Sequence, residues 1–119
     1  MNRQWNTLTN REKNLIIARD VLAFECFEDE EGIQWYNKHY SMGHWRYCTD
    51  LKDAIDLSKR ILNDDHSFKI IMSKNRYECH VIITKQPERS LLKAYGESLP
   101  DVICLASVYY KGIDINVCT

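Results

Sequence analysis

The chain has 119 residues, a formal net charge of −1, 45% hydrophobic and 28% charged residues. That is enough length for one core, and the composition is that of a globular protein. It contains no apolar run near the ~20 residues that a membrane-spanning helix needs, and no overall basic excess of the kind that phosphate binding favours. A single domain over residues 1–119 is therefore expected, with no membrane partner, no nucleic-acid partner and no export leader. A cytoplasmic location follows from the same reading.

Residues 1–8 show little pattern beyond Trp5 and read as a frayed terminus. Thr9-Asn10-Arg11-Glu12 has the spacing of a capping box, and Leu15, Ala18 and Leu22 recur on one face, which predicts a first helix over roughly 10–25. Glu28, Asp29, Glu30 and Glu31 repel one another and predict an open loop before Gly32. These carboxylates lack the alternating spacing of a calcium loop, so a metal site is not expected there.

Ile33–Tyr47 packs Trp35, Tyr36, Tyr40, Trp45 and Tyr47 around His39 and His44, with Lys38 and Arg46 as its cations. A strand, a turn at Ser41-Met42-Gly43 and a returning strand over Trp45–Cys48 are expected. Thr49 or Asp50 then caps a second helix whose apolar face is Leu51, Ala54, Ile55, Ser58, Ile61 and Leu62. Alternation over Ser67–Thr84, broken at Lys74-Asn75, predicts a hairpin with Phe68, Ile70, Met72, Tyr77, Cys79, Val81 and Ile83 on its apolar face. Leu91–Tyr95 reads as a short further strand.

The last helix is the best specified, over Ser98–Gly112. Ser98 precedes Pro100, which suits a first helical turn, Asp101 complements the dipole, and Gly112 is free to turn left-handed. Its broad apolar stripe, centred on Ile103, Ala106 and Tyr110, requires the hairpin as a surface to lie on. Ile113–Val117 alternates weakly, as an edge strand or a tail.

No catalytic constellation emerges. Cys79 and His80 are adjacent on a strand and so point to opposite faces. His39, His44 and Cys48 lack a fourth zinc ligand. The glycines form no phosphate loop. The five cysteines include no CxxC pair and read as reduced structural thiols. No catalytic residue, metal or cofactor is therefore expected. Tyrosine, tryptophan and arginine dominate binding hot spots, and aromatic rings beside cations can stack a nucleobase. Those properties select Tyr36, Lys38, His39, Tyr40, His44 and Arg46 as the partner- or ligand-binding residues.

Tyr47-Cys48-Thr49-Asp50-Leu51 running into a helix with Ala54, an alternating hairpin, and the helix opening Pro100-Asp101-Val102-Ile103-Cys104-Leu105-Ala106 together resemble the phage ABA sandwich domain. That small family is encoded by bacteriophages and prophages, and the resemblance spans about residues 10–112. Cys48 stands where the family tends to have serine, and Val102 where alanine is common. The resemblance implies an α/β layered domain of phage origin and no established activity.

The expected fold is α/β, a small antiparallel sheet of three or four strands packed with three helices in α-β-α layers. The expected function is that of a non-enzymatic phage accessory protein acting by binding, inhibiting a host protein or antiviral defence system in the host cytoplasm. The alternative is a protein that sequesters a nucleotide signal. A homodimer through an exposed edge strand is the default assembly.

Overall fold

The structure, a computed structural model, describes residues 3–24, 26–28, 34–36, 40–41, 46–62, 66–83, 90–113 and 115–116. In chain order these form β1 (Arg3–Gln4), a 3₁₀ turn (Trp5–Thr7), α1 (Asn10–Ile16) continuing into a π-helical turn (Ile17–Val21), β2 (Cys26–Glu28), β3 (Gln34–Tyr36) and β4 (Tyr40–Ser41). Then follow α2 (Leu51–Ile61), β5 (His66–Met72), β6 (Tyr77–Ile83), β7 (Ser90–Gly96), α3 (Leu99–Tyr110) and β8 (Ile115–Asn116). Three helices with a three-stranded antiparallel sheet, β5-β6-β7, make the fold mixed α/β. A second antiparallel meander joins β2-β3-β4, and β1 pairs in parallel with β8.

The hairpin follows its hydrophobic alternation. Phe68 pairs with Val81, Ile70 with Cys79 and Met72 with Tyr77, so the apolar residues of both strands share the inner face. The turn falls at the expected Lys74-Asn75, closed by the Ser73 N–H donating to the Arg76 carbonyl at 2.9 Å. β7 adds Leu92 and Ala94 to that face, opposite Val81 and Cys79.

α3 lies over β6 and β7, and both α2 and the π-helical turn pack against α3. The layers therefore run from the sheet to α3 and on to the other helices, so these helices all lie beyond one face of the sheet. Seven consecutive residues of α3, Val102 to Val108, are buried. The stripe expected for this helix is thus replaced by burial all round, because a second layer of helix covers the side turned away from the strands. The polar residue among the seven, Ser107, is accommodated by donating its hydroxyl to the Ile103 carbonyl at 2.9 Å. His66 stacks on Tyr110 with ring centroids 4.0 Å apart, docking the start of β5 onto the end of α3.

Several local expectations are corrected. Trp5 is fully buried in the core, so the chain is anchored at that residue and not frayed there. The first helix keeps its capping box: the Glu12 N–H donates to Thr9 Oγ1 at 3.1 Å and the Thr9 N–H to Glu12 Oε1 at 2.9 Å. The bond from the Thr9 backbone N–H, with a smaller contribution from the Thr9 hydroxyl, holds the Glu12 carboxyl below the usual range. The helix nevertheless widens into the π turn and stops at Leu22. There Ala23 takes a left-handed conformation (φ +58°) and the Phe24 N–H donates back to the Ala18 carbonyl at 2.8 Å. The strand Cys26–Glu28 takes in Phe27 and Glu28, the first residues of the expected acidic loop, whose remainder to Gly32 lies outside the described residues.

β3 and β4 pair Tyr36 with Tyr40 and Trp35 with Ser41, so Ser41 belongs to a strand and not to the expected turn, whose other residues, Met42 and Gly43, lie outside the described residues. Tyr47–Thr49 is a turn and not a strand, because the Thr49 and Asp50 N–H groups both donate to the Arg46 carbonyl. Asp50 caps α2 by accepting from the Asp53 N–H. The buried line of α2 is Ala54, Leu57 and Ile61, whereas Leu51, Ile55 and Leu62 are exposed. Ser98 makes no side-chain cap for α3, and the first intrahelical bond there runs from the Val102 N–H to the Ser98 carbonyl. Gly112 takes the expected left-handed conformation, φ +71°.

Two substitutions test these contacts. A Cβ at Gly96 would stand 2.8 Å from Val102 Cγ2, a short buried branch with little room to yield. Gly96→Ala is expected to lower unfolding stability by about 1–3 kcal/mol, with part of the loss recovered in the Gly96→Ala/Val102→Ala double variant, read from urea midpoints. Ala23→Gly removes a left-handed Cβ and is expected to raise stability by about 0.5–1 kcal/mol, read the same way.

Candidate functional site

Of the binding residues selected from the sequence, Lys38, His39 and His44 lie outside the described residues. Tyr36 and Tyr40 are brought together as directly paired positions of β3 and β4. Arg46 is exposed, at the start of the turn that leads into α2. Cys79 and His80 take opposite faces of β6, as strand geometry demands. Cys79 is buried inside, while His80 Nε2 lies 3.0 Å from Glu78 Oε1 on the outer side.

A buried polar cluster that the sequence did not reveal sits where α3 begins. Asp101 accepts from Trp5 Nε1–H at 3.1 and 3.2 Å and from Lys13 Nζ at 2.8 Å. Lys13 Nζ also lies 5.1 Å from the Trp5 ring centroid. The adjacent Asn14 Oδ1 accepts the Cys48 N–H at 3.2 Å. Every polar group named here serves to fasten one element to another: the N-terminal segment and α1 to α3, and the turn before α2 to α1.

Cys48, Cys79 and Cys104 are free and buried. Burial pushes the Cys79 thiol up to about 12. Burial is also the leading cause raising the Cys104 thiol, reinforced by its hydrogen bond with Cys48 and by the nearby Asp101 carboxylate. Thiols held protonated in this way are poor nucleophiles.

The face of the sheet turned away from α3 has a different character. Cross-strand register arranges it in three rows: Ser67, Ile82 and Leu91; Lys69, His80 and Lys93; Ile71, Glu78 and Tyr95. Lys69 and Lys93 occupy the two edge strands and flank His80 in a row. Among the described residues neither lysine is ion-paired. Glu78 is engaged by His80 and by Arg76 Nη2 at 3.6 Å, and Arg76 lies over the Tyr95 ring at 4.5 Å. Leu91 and Tyr95 are 51% and 40% exposed beside Lys93. Within this sheet and its tight turn the four cations Lys69, Lys74, Arg76 and Lys93 outnumber the one carboxylate, Glu78, although the whole chain is slightly acidic. This cationic face with apolar flanks is the candidate site. Its alternation in β5 and β6 is legible in the residues, but the register of β7 that completes each row is a tertiary fact.

Comparison with protein families, curated proteins and solved structures returned no match. Among the described residues no helix is long and apolar enough to cross a membrane, and no cluster of histidine, cysteine and carboxylate side chains is arranged to hold a metal ion.

The thiols supply a direct check. In native buffer Cys48, Cys79 and Cys104 are expected to resist a thiol-specific reagent that labels all five cysteines in denaturant, as counted by mass spectrometry. Because the Cys79 pKa is raised from 9.0 to about 12 on folding, its contribution to stability is complete below pH 9 and is lost as pH rises toward 12. Urea midpoints should fall across that window, and less steeply in Cys79→Ala.

Proposed function

We propose that this chain is a non-enzymatic binding protein whose working surface is the outer face of the β5-β6-β7 sheet. The observation that carries the reading is the exposure of Leu91 and Tyr95 on either side of Lys93, on a face that no described helix covers. Aromatic and aliphatic groups surrounding a charge are the ingredients of a protein-binding hot spot. An open sheet face also supplies a rigid platform for them.

The resemblance to the phage ABA sandwich domain supports a narrower reading. In it the partner is a protein of the bacterial host, and the chain acts as a phage accessory factor that inhibits it. The competing role, sequestration of a nucleotide signal, draws support from the direct pairing of positions Tyr36 and Tyr40 in the aromatic segment. Two aromatic positions held in register are what a stacking floor requires.

Affinity capture from a bacterial lysate, with native mass spectrometry of the complex, separates these roles. A stoichiometric protein partner is expected, and Leu91→Asp/Tyr95→Ala should lose it at least 10-fold while keeping its thermal midpoint within a few degrees. A partner retained by that variant would remove the sheet face from the function. A small-molecule adduct with no protein partner, together with quenching of tryptophan fluorescence by a nucleotide, would favour sequestration.

A further inference from the structure

Taking the outer sheet face as the working surface, as proposed above, we infer that the edge of β7 that no described strand pairs accepts an extended acidic segment of a partner protein as a fourth strand. β7 is an edge of the β5-β6-β7 order, seven residues long (Ser90–Gly96). An edge strand of that length offers a row of unpaired main-chain donors and acceptors, the template used in recognition by strand addition. α3 lies over β6 and β7 and reaches β5 at its start, where His66 stacks on Tyr110. A strand added beside β7 therefore meets the flank of the helix layer along its inner side, a support that the far half of the β5 edge lacks. The β5 edge instead leaves Ile70 and Met72 46% and 75% exposed on the inner face.

The chemistry of the occupant is set by the side chains of β7. Leu91, Lys93 and Tyr95 follow one another at alternate positions on the open face, so an incoming strand reads apolar, cationic and aromatic in succession. Its complementary sequence alternates with a carboxylate opposite Lys93 and apolar residues on either side. The row running through His80 to Lys69 extends the positive field across the sheet behind that carboxylate.

Edge lysines commonly protect sheets from self-association, and Lys93 does this too. It stands at the midpoint of β7, so a symmetric full-register pairing of two copies places one Lys93 against the other. Lys69 does the same at the midpoint of β5. A purely protective edge has no use for exposed Leu91 and Tyr95. Together the three residues exclude a second copy in that register and favour an acidic chain.

The test uses the full protein and labelled heptapeptides of the pattern Thr-Val-Thr-Glu-Thr-Val-Thr, which sets the glutamate between two valines on one strand face, or the same peptide with lysine in place of the glutamate, read by fluorescence anisotropy. The glutamate peptide is expected to bind at least 10-fold more tightly than the lysine peptide. N-methylation of its alternate amides, which leaves charge intact, should abolish binding. Lys93→Glu should reverse the charge preference, while Lys74→Glu, in the turn away from the β7 edge, should not. Amide exchange of β7 should slow in the complex.

Failure of the glutamate peptide to bind, equal binding of the N-methylated peptide, or preferential binding of oligothymidylate would each overturn strand addition. If Leu91→Asp/Tyr95→Ala also fails to disturb the captured complex, the working-surface reading falls with it. If that variant does lose the partner, the surface stands and only the acidic strand is excluded.

Discussion

The carboxylate of Asp101 is the point on which the layers depend. α3 is enclosed by sheet on one side and helix on the other, so its first turn must bring any charge it carries into a crowded junction. Trp5 and Lys13, from two different segments, converge on that charge with three donor contacts. An ion pair with this little exposure is costly to break one partner at a time, on the order of 2–3 kcal/mol, because the remaining charge is stranded. The same carboxylate sits in the first turn of α3, where the helix dipole favours a negative charge. Local helix electrostatics and long-range packing thus agree on one residue, and that agreement fixes how α1 and the N-terminal segment seat against α3.

From this junction the rest of the architecture follows. With α3 held, its close approach at Gly96 sets the distance to β7, and β7 sets the register of every row on the outer face. α2 buries Ala54, Leu57 and Ile61 because α3 is the neighbouring surface. No described helix covers the outer face, because the described helices accumulate on the opposite side. Its positive character comes from lysines at the centres of the two edge strands, while the carboxylates of α2 lie on a separate element. Charge segregation of this kind produces a local positive field from a chain whose net charge is close to zero.

Elements with a local cause were readable from the residues alone. The Thr9–Glu12 capping box, the Lys74-Asn75 turn, the alternating faces of β5 and β6, and the left-handed Gly112 each depend on a few neighbouring side chains. The errors share a different cause. The seven-residue buried run of α3 and the shifted face of α2 are decided by which element packs where, and periodicity alone cannot weigh two competing surfaces. Trp5 looked like part of a loose end because its partner, Asp101, is most of the chain away. The early stop of the first helix was also hidden, since nothing in Ile17–Val21 announces a π turn or the left-handed alanine beyond it. For the candidate site, the apolar alternation was legible and the cationic row was not, because that row exists only once three strands are in register.

The pairing of β1 with β8 closes the fold with two strands that run in the same direction, drawn from near opposite ends of the sequence. Tension applied to the two ends would therefore pull these strands past one another in shear, loading their hydrogen bonds together rather than unzipping them singly. The first barrier to mechanical unravelling is this short parallel clasp, and immediately behind it stands the buried indole of Trp5. A force drawing these two strands apart would load the ladder, and the anchored ring behind it, ahead of the sheet that carries the candidate site.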